Sequence, residues 1–162
     1  MRNDAFSRRE SVAVRVFAAI LVASALAGAT WAGGRKAFVD YYATASTLIN
    51  SLNGVAADLE RLDLQSGDFS DEVAGDIKAQ LMKAREGFNS VLTYDDHTNE
   101  LNEGYILYVD KMLLALLVAT EYREKGDPER RARLVKIINE AGGLRSELND
   151  KVQRDSKKWG LD

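Results

Sequence analysis

The chain has 162 residues, a formal net charge of −3 at pH 7, one histidine, one proline and no cysteine. This length suits one domain with a hydrophobic core and is short for two. The lack of cysteine excludes a disulfide framework, a thiolate nucleophile and a cysteine metal site, and an apolar fraction of 46% excludes general disorder.

The charge is unevenly distributed along the chain. Residues 37–103 carry 4 Lys/Arg against 13 Asp/Glu, a net charge of −9, whereas residues 104–162 carry 12 against 10, a net charge of +2. Nucleic acids bind clustered basic surfaces, and the acidic first half offers none. We therefore predict no nucleic-acid partner, although the asymmetry is able to orient the protein on a charged protein surface.

The N-terminal segment has the three parts of an export signal. Arginines precede an uncharged run over residues 16–34, and small residues suitable for cleavage occur at Ala25-Leu26-Ala27 and Thr30-Trp31-Ala32. Paired arginines at Ser7-Arg8-Arg9 resemble a twin-arginine signal. The alternative is a retained membrane anchor, since the run approaches the ~20 residues that cross a bilayer. We predict an export signal or membrane anchor over 1–33, and a protein of the thylakoid lumen or periplasm that associates with the membrane.

The remainder of the chain predicts an all-α fold, an up-down-up-down four-helix bundle over 34–158, followed by a C-terminal tail over 159–162. The first helix is predicted from apolar residues that alternate steps of three and four from Phe38 to Leu62, which form a heptad seam. Asp68 or Ser70 is the expected N-cap of the second helix.

The third and fourth helices follow the same periodicity. Thr98 or Asn99 is the expected N-cap of the third helix, and the loop "TYDDHTNE" precedes it. Gly126-Asp127-Pro128 predicts a left-handed end for the third helix, then the N-cap and first residue of the fourth. Gly142-Gly143 is expected to weaken or bend the fourth helix. The predicted core comprises Leu48, Leu52, Leu59, Ile77, Leu81, Phe88, Met112, Leu116, Ile137 and Leu148.

Residues with catalytic or metal-binding chemistry are sparse. His97 stands beside Asp95 and Asp96, but one histidine with neighbouring carboxylates has no recognised metal-ligand spacing. We therefore predict no metal, no cofactor and no catalysis, and expect His97→Ala to leave stability almost unchanged. Asp110 lies inside the most apolar helix, so we expect it to pair with a basic group from another helix, the alternative being an exposed edge beside Lys111.

Two basic clusters on the fourth helix are the candidate partner-binding residues. They comprise Arg130, Arg131, Arg133, Lys136, Lys157, Lys158 and Trp159. The alternative is a solvated helix face, since charged residues ordinarily cover the outside of a bundle. If the clusters bind, acidic protein loops or anionic lipid headgroups are the expected targets, and Trp159 beside two lysines suits an interface anchor.

Three stretches resemble a known family. They are "DYYATASTLINSL" at 40–52, Phe88-Asn89 with Tyr94, and "EYREKGDPERRARLVKIINEA" at 121–141. Together they are similar to the small lumenal four-helix proteins of photosystem II, of the assembly-factor type or the PsbQ-type extrinsic subunits. The chain departs from that pattern in lacking a lipobox cysteine, in carrying Asp95-Asp96 where a basic pair is expected, and in its longer tail.

The resemblance implies a non-catalytic protein that binds the lumenal face of photosystem II, during assembly or beside the oxygen-evolving site. We separately predict that the mature domain is a monomer outside that complex. The alternative that the residues leave open is a membrane-anchored periplasmic bundle that acts as a sensor, adaptor or scaffold unrelated to photosynthesis. A small enzyme or a metal carrier is the remaining class.

Overall fold

Four helices and no strand are present in the part of the chain that the computed structural model describes, which is residues 32–57, 59 and 69–161. Helix α1 covers residues 32–57 and 59. The other helices are α2 (Asp71–Ser90), α3 (Asp96–Lys125) and α4 (Pro128–Trp159). The all-α prediction is confirmed, whereas the predicted export signal or anchor over 1–33 lies almost entirely outside the described residues.

Cross-helix pairs show how the helices run. Asp71 near the start of α2 pairs with Arg123 near the end of α3, and Arg85 near the end of α2 pairs with Asp110. His97 at the start of α3 pairs with Asp155 near the end of α4. Helix α3 is therefore antiparallel to both α2 and α4. The compact unit that contains these pairs runs from Ala37 to Asp162.

The helix ends follow the turn chemistry of the sequence, with one correction. Ser70 caps α2 by accepting a hydrogen bond from the Val73 backbone N–H. Gly126 ends α3 in the left-handed conformation with φ 65°, and Asp127 caps α4 ahead of Pro128, as predicted. Helix α4 continues without interruption through both of its internal glycines, 142 and 143.

The prediction that Thr98 or Asn99 caps α3 is wrong. The N-cap is Asp95, whose carboxylate accepts from the Thr98 backbone N–H at 2.8 Å. The Thr98 hydroxyl in turn accepts from the Asp95 backbone N–H at 3.1 Å. This reciprocal capping box satisfies two backbone donors and starts the helix three residues earlier. Asp96 and His97 consequently belong to the first turn of α3 and not to a loop.

The hydrophobic core contains the predicted apolar seams. Every predicted core residue is buried except Leu48 and Leu59, which are half-buried and pack against the core. Phe38, Tyr41, Phe69, Leu81, Phe88 and Leu101 are among its most deeply buried side chains. Burial of large apolar side chains at about 25 cal/mol per Å² is the main force that holds such a bundle together.

Two glycines allow close approach between helices. A Cβ added at Gly87 in α2 would lie 2.6 Å from a methyl of Leu48 in α1. A Cβ added at Gly104 in α3 would lie 2.6 Å from a methyl of Leu148 in α4. Both distances are far below ordinary van der Waals contact, so the two leucines occupy space that a side chain would take.

Within the described ranges, none of the helices combines the length and apolar character that crossing a bilayer requires.

Candidate functional site

The predicted basic residues of α4 are mostly exposed, but they form two separate groups. Arg131, Arg133 and Lys136 are exposed near the start of the helix. Lys157 and Lys158 are exposed at its end. A rise of 1.5 Å per residue places Lys136 and Lys157 roughly 30 Å apart along α4. One contiguous partner surface therefore cannot contain both groups unless it covers most of the helix.

The first group is divided between two sides of the helix. Arg131 and Arg133 are two residues apart and so point in nearly opposite directions, whereas Arg133 and Lys136 share a face at three-residue spacing. Neither Arg131 nor Arg133 forms an ion pair with another described residue. Arg133 and Lys136 are the pair that the fold presents together, and we call them the α4 basic face.

Arg130 is held within the protein. Its guanidinium is half-buried, contacts the Asp127 carboxylate and lies 3.5 Å from Glu121 of α3. Asp127 also accepts from the Arg130 backbone N–H at 2.9 Å. Arg130 therefore stabilises the turn between α3 and α4, and these contacts leave less of its guanidinium available to a partner.

Trp159 differs from the interface anchor that the sequence predicts. Its side chain is only 7% exposed and belongs to the hydrophobic core. The Lys158 ammonium lies 4.3 Å from the centre of its ring, where a cation–π interaction is favourable. The apolar ring is buried because it lies on the core-facing side of α4, four residues after Asp155, and we do not include it in a binding surface.

His97 has a partner that sequence spacing did not reveal. Its Nε2 lies 2.7 Å from the Asp155 Oδ2, and Asp155 is only 9% exposed. The two residues are 58 positions apart, so no local pattern could have connected them. The pair joins the start of α3 to the end of α4. No group of three or more potential metal-ligating His, Cys, Asp or Glu side chains is present among the described residues.

The expectation that Asp110 pairs with another helix is confirmed. Arg85 of α2 donates from Nε to the Asp110 carboxylate at 2.6 Å. The neighbouring Lys111 pairs with Glu140 of α4 on the other side of α3. The hydrogen bond from Lys111, together with its charge and that of Lys136, lowers the pKa of Glu140. These half-exposed pairs orient the helices and have the properties of structural ion pairs.

A cluster of buried phenols lies between α1 and α3. Tyr41 is fully buried and Tyr105 is 4% exposed, and neither hydroxyl has a hydrogen-bond partner in the described part of the chain. Burial, reinforced by the charge of a nearby tyrosine, raises the pKa of Tyr105 to about 12. The same two causes, with burial the larger, raise the pKa of Tyr41 well above its usual value.

Ring stacking and an amide hold this cluster in place. The rings of Phe88 and Tyr105 stack with centres 5.2 Å apart. Asn102, one turn earlier on α3, donates from its side-chain amide to the Phe88 carbonyl at 3.0 Å. Those contacts connect the end of α2 to α3. Because a raised pKa makes a phenol hold its proton more firmly, both tyrosines are poor proton donors at physiological pH.

An apolar groove lies on the surface where α1, α3 and α4 meet. Its volume is about 400 Å³, within the ~300–1,000 Å³ range of small-molecule sites. Ala56 and Leu59 of α1 form one side, and Met112 and Leu116 of α3 form the floor. The wall on α4 is formed by Leu134, Ile138, Ala141, Gly142 and Arg145. Nothing in the spacing of residues along the chain predicts this groove, because it exists only where the packed helices α1, α3 and α4 leave space between them.

No family model, curated protein or solved structure matches the chain.

Proposed function

We propose that this protein is a non-catalytic, exported four-helix binding domain that docks on a membrane protein complex. The α4 basic face, Arg133 with Lys136, is the observation that carries the proposal. Both side chains are exposed at one end of α4, where the charge of Lys136 also acts on the Glu140 carboxylate. Exposed cations of this kind steer association with acidic surfaces.

Export and membrane association rest on the sequence of the N-terminal segment. The arginines, the uncharged run over 16–34 and the small residues after it are typical of a secretory signal. The described helices contain no comparable lipid-compatible run. The proposal is a domain of the thylakoid lumen or periplasm whose membrane association is peripheral if the segment is cleaved and anchored if it is retained, and which is monomeric outside the complex.

The more specific proposal is an extrinsic or assembly subunit on the lumenal face of photosystem II. It rests on the resemblance of residues 40–52 and 121–141 to that family, and the all-α bundle is compatible with it. The second candidate is a membrane-anchored periplasmic sensor, adaptor or scaffold, which the length of the uncharged run favours. A source organism without oxygenic photosynthesis would contradict the first and leave the second.

The experiment is affinity purification of the tagged full-length chain from native membranes after mild cross-linking. We expect a large membrane complex to co-purify, and the double variant Arg133→Glu with Lys136→Glu to lose it. The matched control is Lys78→Glu with Lys83→Glu, which reverses two exposed cations on α2 and changes the net charge by the same amount. The control should retain the complex.

The identity of the complex separates the two candidates. Photosystem II subunits in the purified material support the lumenal role, and a different membrane complex supports the adaptor role. Equal loss in the two double variants would show that net charge, and not the α4 basic face, governs binding. A complex that both variants retain in full would contradict docking through this face.

A further inference from the structure

We propose that the groove between α1, α3 and α4 binds a single-chain amphiphile with a carboxylate head group, such as a free fatty acid. This ligand site is separate from the α4 basic face and does not depend on the proposed function. The shape of the groove, its lining and one cation at its edge support the inference.

The inner lining of the groove is apolar and buried. Met112, Leu116 and Leu134 are each no more than 8% exposed and also belong to the hydrophobic core. Ile138, which also lines the groove, is 50% exposed and so extends the apolar lining to the protein surface. The lining is concave, whereas surfaces that bind a partner protein are typically flatter. An alkyl chain is the kind of ligand that this volume and chemistry accommodate.

Arg145 provides the complementary charge. It is the one charged side chain among the described residues that line the groove. It lies three residues after Gly142 and seven after Ile138, on the same side of α4, so the proposal places the ligand head group beside it. Arginine binds carboxylates through paired, charge-assisted hydrogen bonds. Arg145 also takes part in an interaction within the chain, which a bound carboxylate would share or replace.

Two adjacent glycines permit a sharp test of the site. A Cβ added at Gly142 or at Gly143 meets nothing within 4 Å, and both residues are exposed on α4. Gly142 lines the groove and Gly143 does not. Phenylalanine at 142 therefore projects over the groove, and phenylalanine at 143 projects from the other side of the helix.

The measurement is calorimetric titration of the full-length chain with dodecanoate below its critical micelle concentration. We expect saturable 1:1 binding, and an affinity that rises about fourfold for each methylene added between octanoate and dodecanoate. Gly142→Phe should abolish binding, whereas Gly143→Phe should leave the affinity within about twofold. Comparison of these two variants also controls for dodecanoate that binds to the apolar N-terminal segment, since neither substitution changes that segment.

Substitutions at the edge test the head group. Arg145→Gln should weaken dodecanoate binding by about tenfold and leave dodecan-1-ol unaffected. If Gly142→Phe fails to fold by circular dichroism, Ile138→Asp replaces it, because a carboxylate there repels the ligand. Val135→Asp is its control, since Val135 is equally exposed at 51% but does not line the groove.

Three results would overturn the inference. The first is no saturable binding of dodecanoate by the unmodified chain. The second is equal weakening by Gly142→Phe and Gly143→Phe. The third is a concentration-dependent dimer that Gly142→Phe disrupts and dodecanoate does not compete with, which would show that the groove is an interface between two copies of the chain.

Discussion

His97 Nε2 lies 2.7 Å from Asp155 Oδ2, and this contact joins the first turn of α3 to the last turns of α4. The aspartate is nearly buried, with 12% of its side chain exposed, whereas 44% of the histidine side chain is exposed. The Asp155 carboxylate therefore has little contact with water, and His97 provides it with a polar partner.

This pair revises the expectation that His97→Ala leaves the stability of the protein almost unchanged. His97→Ala leaves the Asp155 carboxylate without its partner, and we expect a loss of about 1–2 kcal/mol in the free energy of unfolding. Urea denaturation at pH 7 measures it. In an Asp155→Asn background the same substitution should cost clearly less. Equal costs in the two backgrounds would mean that the pair has no coupling energy.

The buried phenols predict a loss of stability at alkaline pH. In the unfolded chain a tyrosine loses its proton near pH 10, while the folded protein raises the pKa of Tyr105 to about 12. The contribution of Tyr105 to the free energy of unfolding is therefore fully present below about pH 10. It is lost as the pH rises toward 12, because in that range only the unfolded state releases the proton. Tyr41, whose pKa is also raised by burial, acts in the same direction.

Tyr105→Phe tests this effect. The variant lacks the titrating hydroxyl, so at pH 11 it should lose about 1 kcal/mol less stability, relative to pH 8, than the unmodified chain. At pH 8 its stability should be equal to that of the unmodified chain or slightly higher, because the buried hydroxyl has no hydrogen-bond partner among the described residues and its removal breaks no bond. Tyr94→Phe, at a tyrosine that is 48% exposed, is the control. Parallel pH profiles for all three proteins would contradict the prediction.

Gly104 is predicted to be intolerant of a side chain. Gly104→Ala places a methyl group against Leu148, which is 2% exposed and has little room to move. The overpacking should cost about 1–3 kcal/mol and outweigh the gain in helix propensity. Gly75→Ala in α2, where nothing lies within 4 Å, should instead stabilise the protein by about 0.5–1 kcal/mol. Thermal denaturation compares the two, and a stabilising Gly104→Ala would show that Leu148 repacks freely.

Leu52 tests the seam of α1. It is 2% exposed, so Leu52→Ala should cost about 2–5 kcal/mol through lost burial and the cavity that remains. Leu107→Ala removes the same atoms from a side chain that is 50% exposed, and should change stability by less than about 0.5 kcal/mol. Chemical denaturation of both variants provides the measurement. A Leu52→Ala loss as small as that of Leu107→Ala would mean that the heptad register is misplaced.

Intact-mass measurement of the natural protein tests the export proposal. Cleavage predicts a chain that begins between Gly28 and Ala37 and leaves the membrane on washing with salt or alkali, since salt weakens contacts through exposed cations. A mass that retains residues 16–32, with extraction by detergent alone, would identify the segment as a permanent anchor.

The sequence predicted the helices and the core better than the site. The alternation of apolar residues is a local signal, so residues such as Leu52 and Leu81 could be placed without a structure. The end of α3 at Gly126 is also predicted by a local signal, since glycine favours the left-handed conformation found there. The start of α3 was misplaced, because Asp95, Thr98 and Asn99 are all good caps and only the reciprocal hydrogen bonds select Asp95.

Contacts between distant residues could not be predicted in the same way. The partner of Asp110 was expected to be basic, but nothing in the sequence distinguishes Arg85 from the other cations. The burial of Trp159 and the groove beside Ile138 depend on the distances between packed helices. Those distances follow from the complete packing arrangement and have no signature in residue spacing.

The short turn at Gly126 and Asp127 has a consequence for the order of folding. Helices α3 and α4 are consecutive in the chain, and closing a two-residue connection costs little chain entropy. Their contacts should therefore form early in the folding reaction, whereas contacts of α1 with α3 close a longer loop. We expect substitutions at the α3–α4 interface, such as Leu134→Ala, to slow folding, and Leu52→Ala mainly to accelerate unfolding. The hairpin of α3 and α4 would then assemble before α1 packs against it.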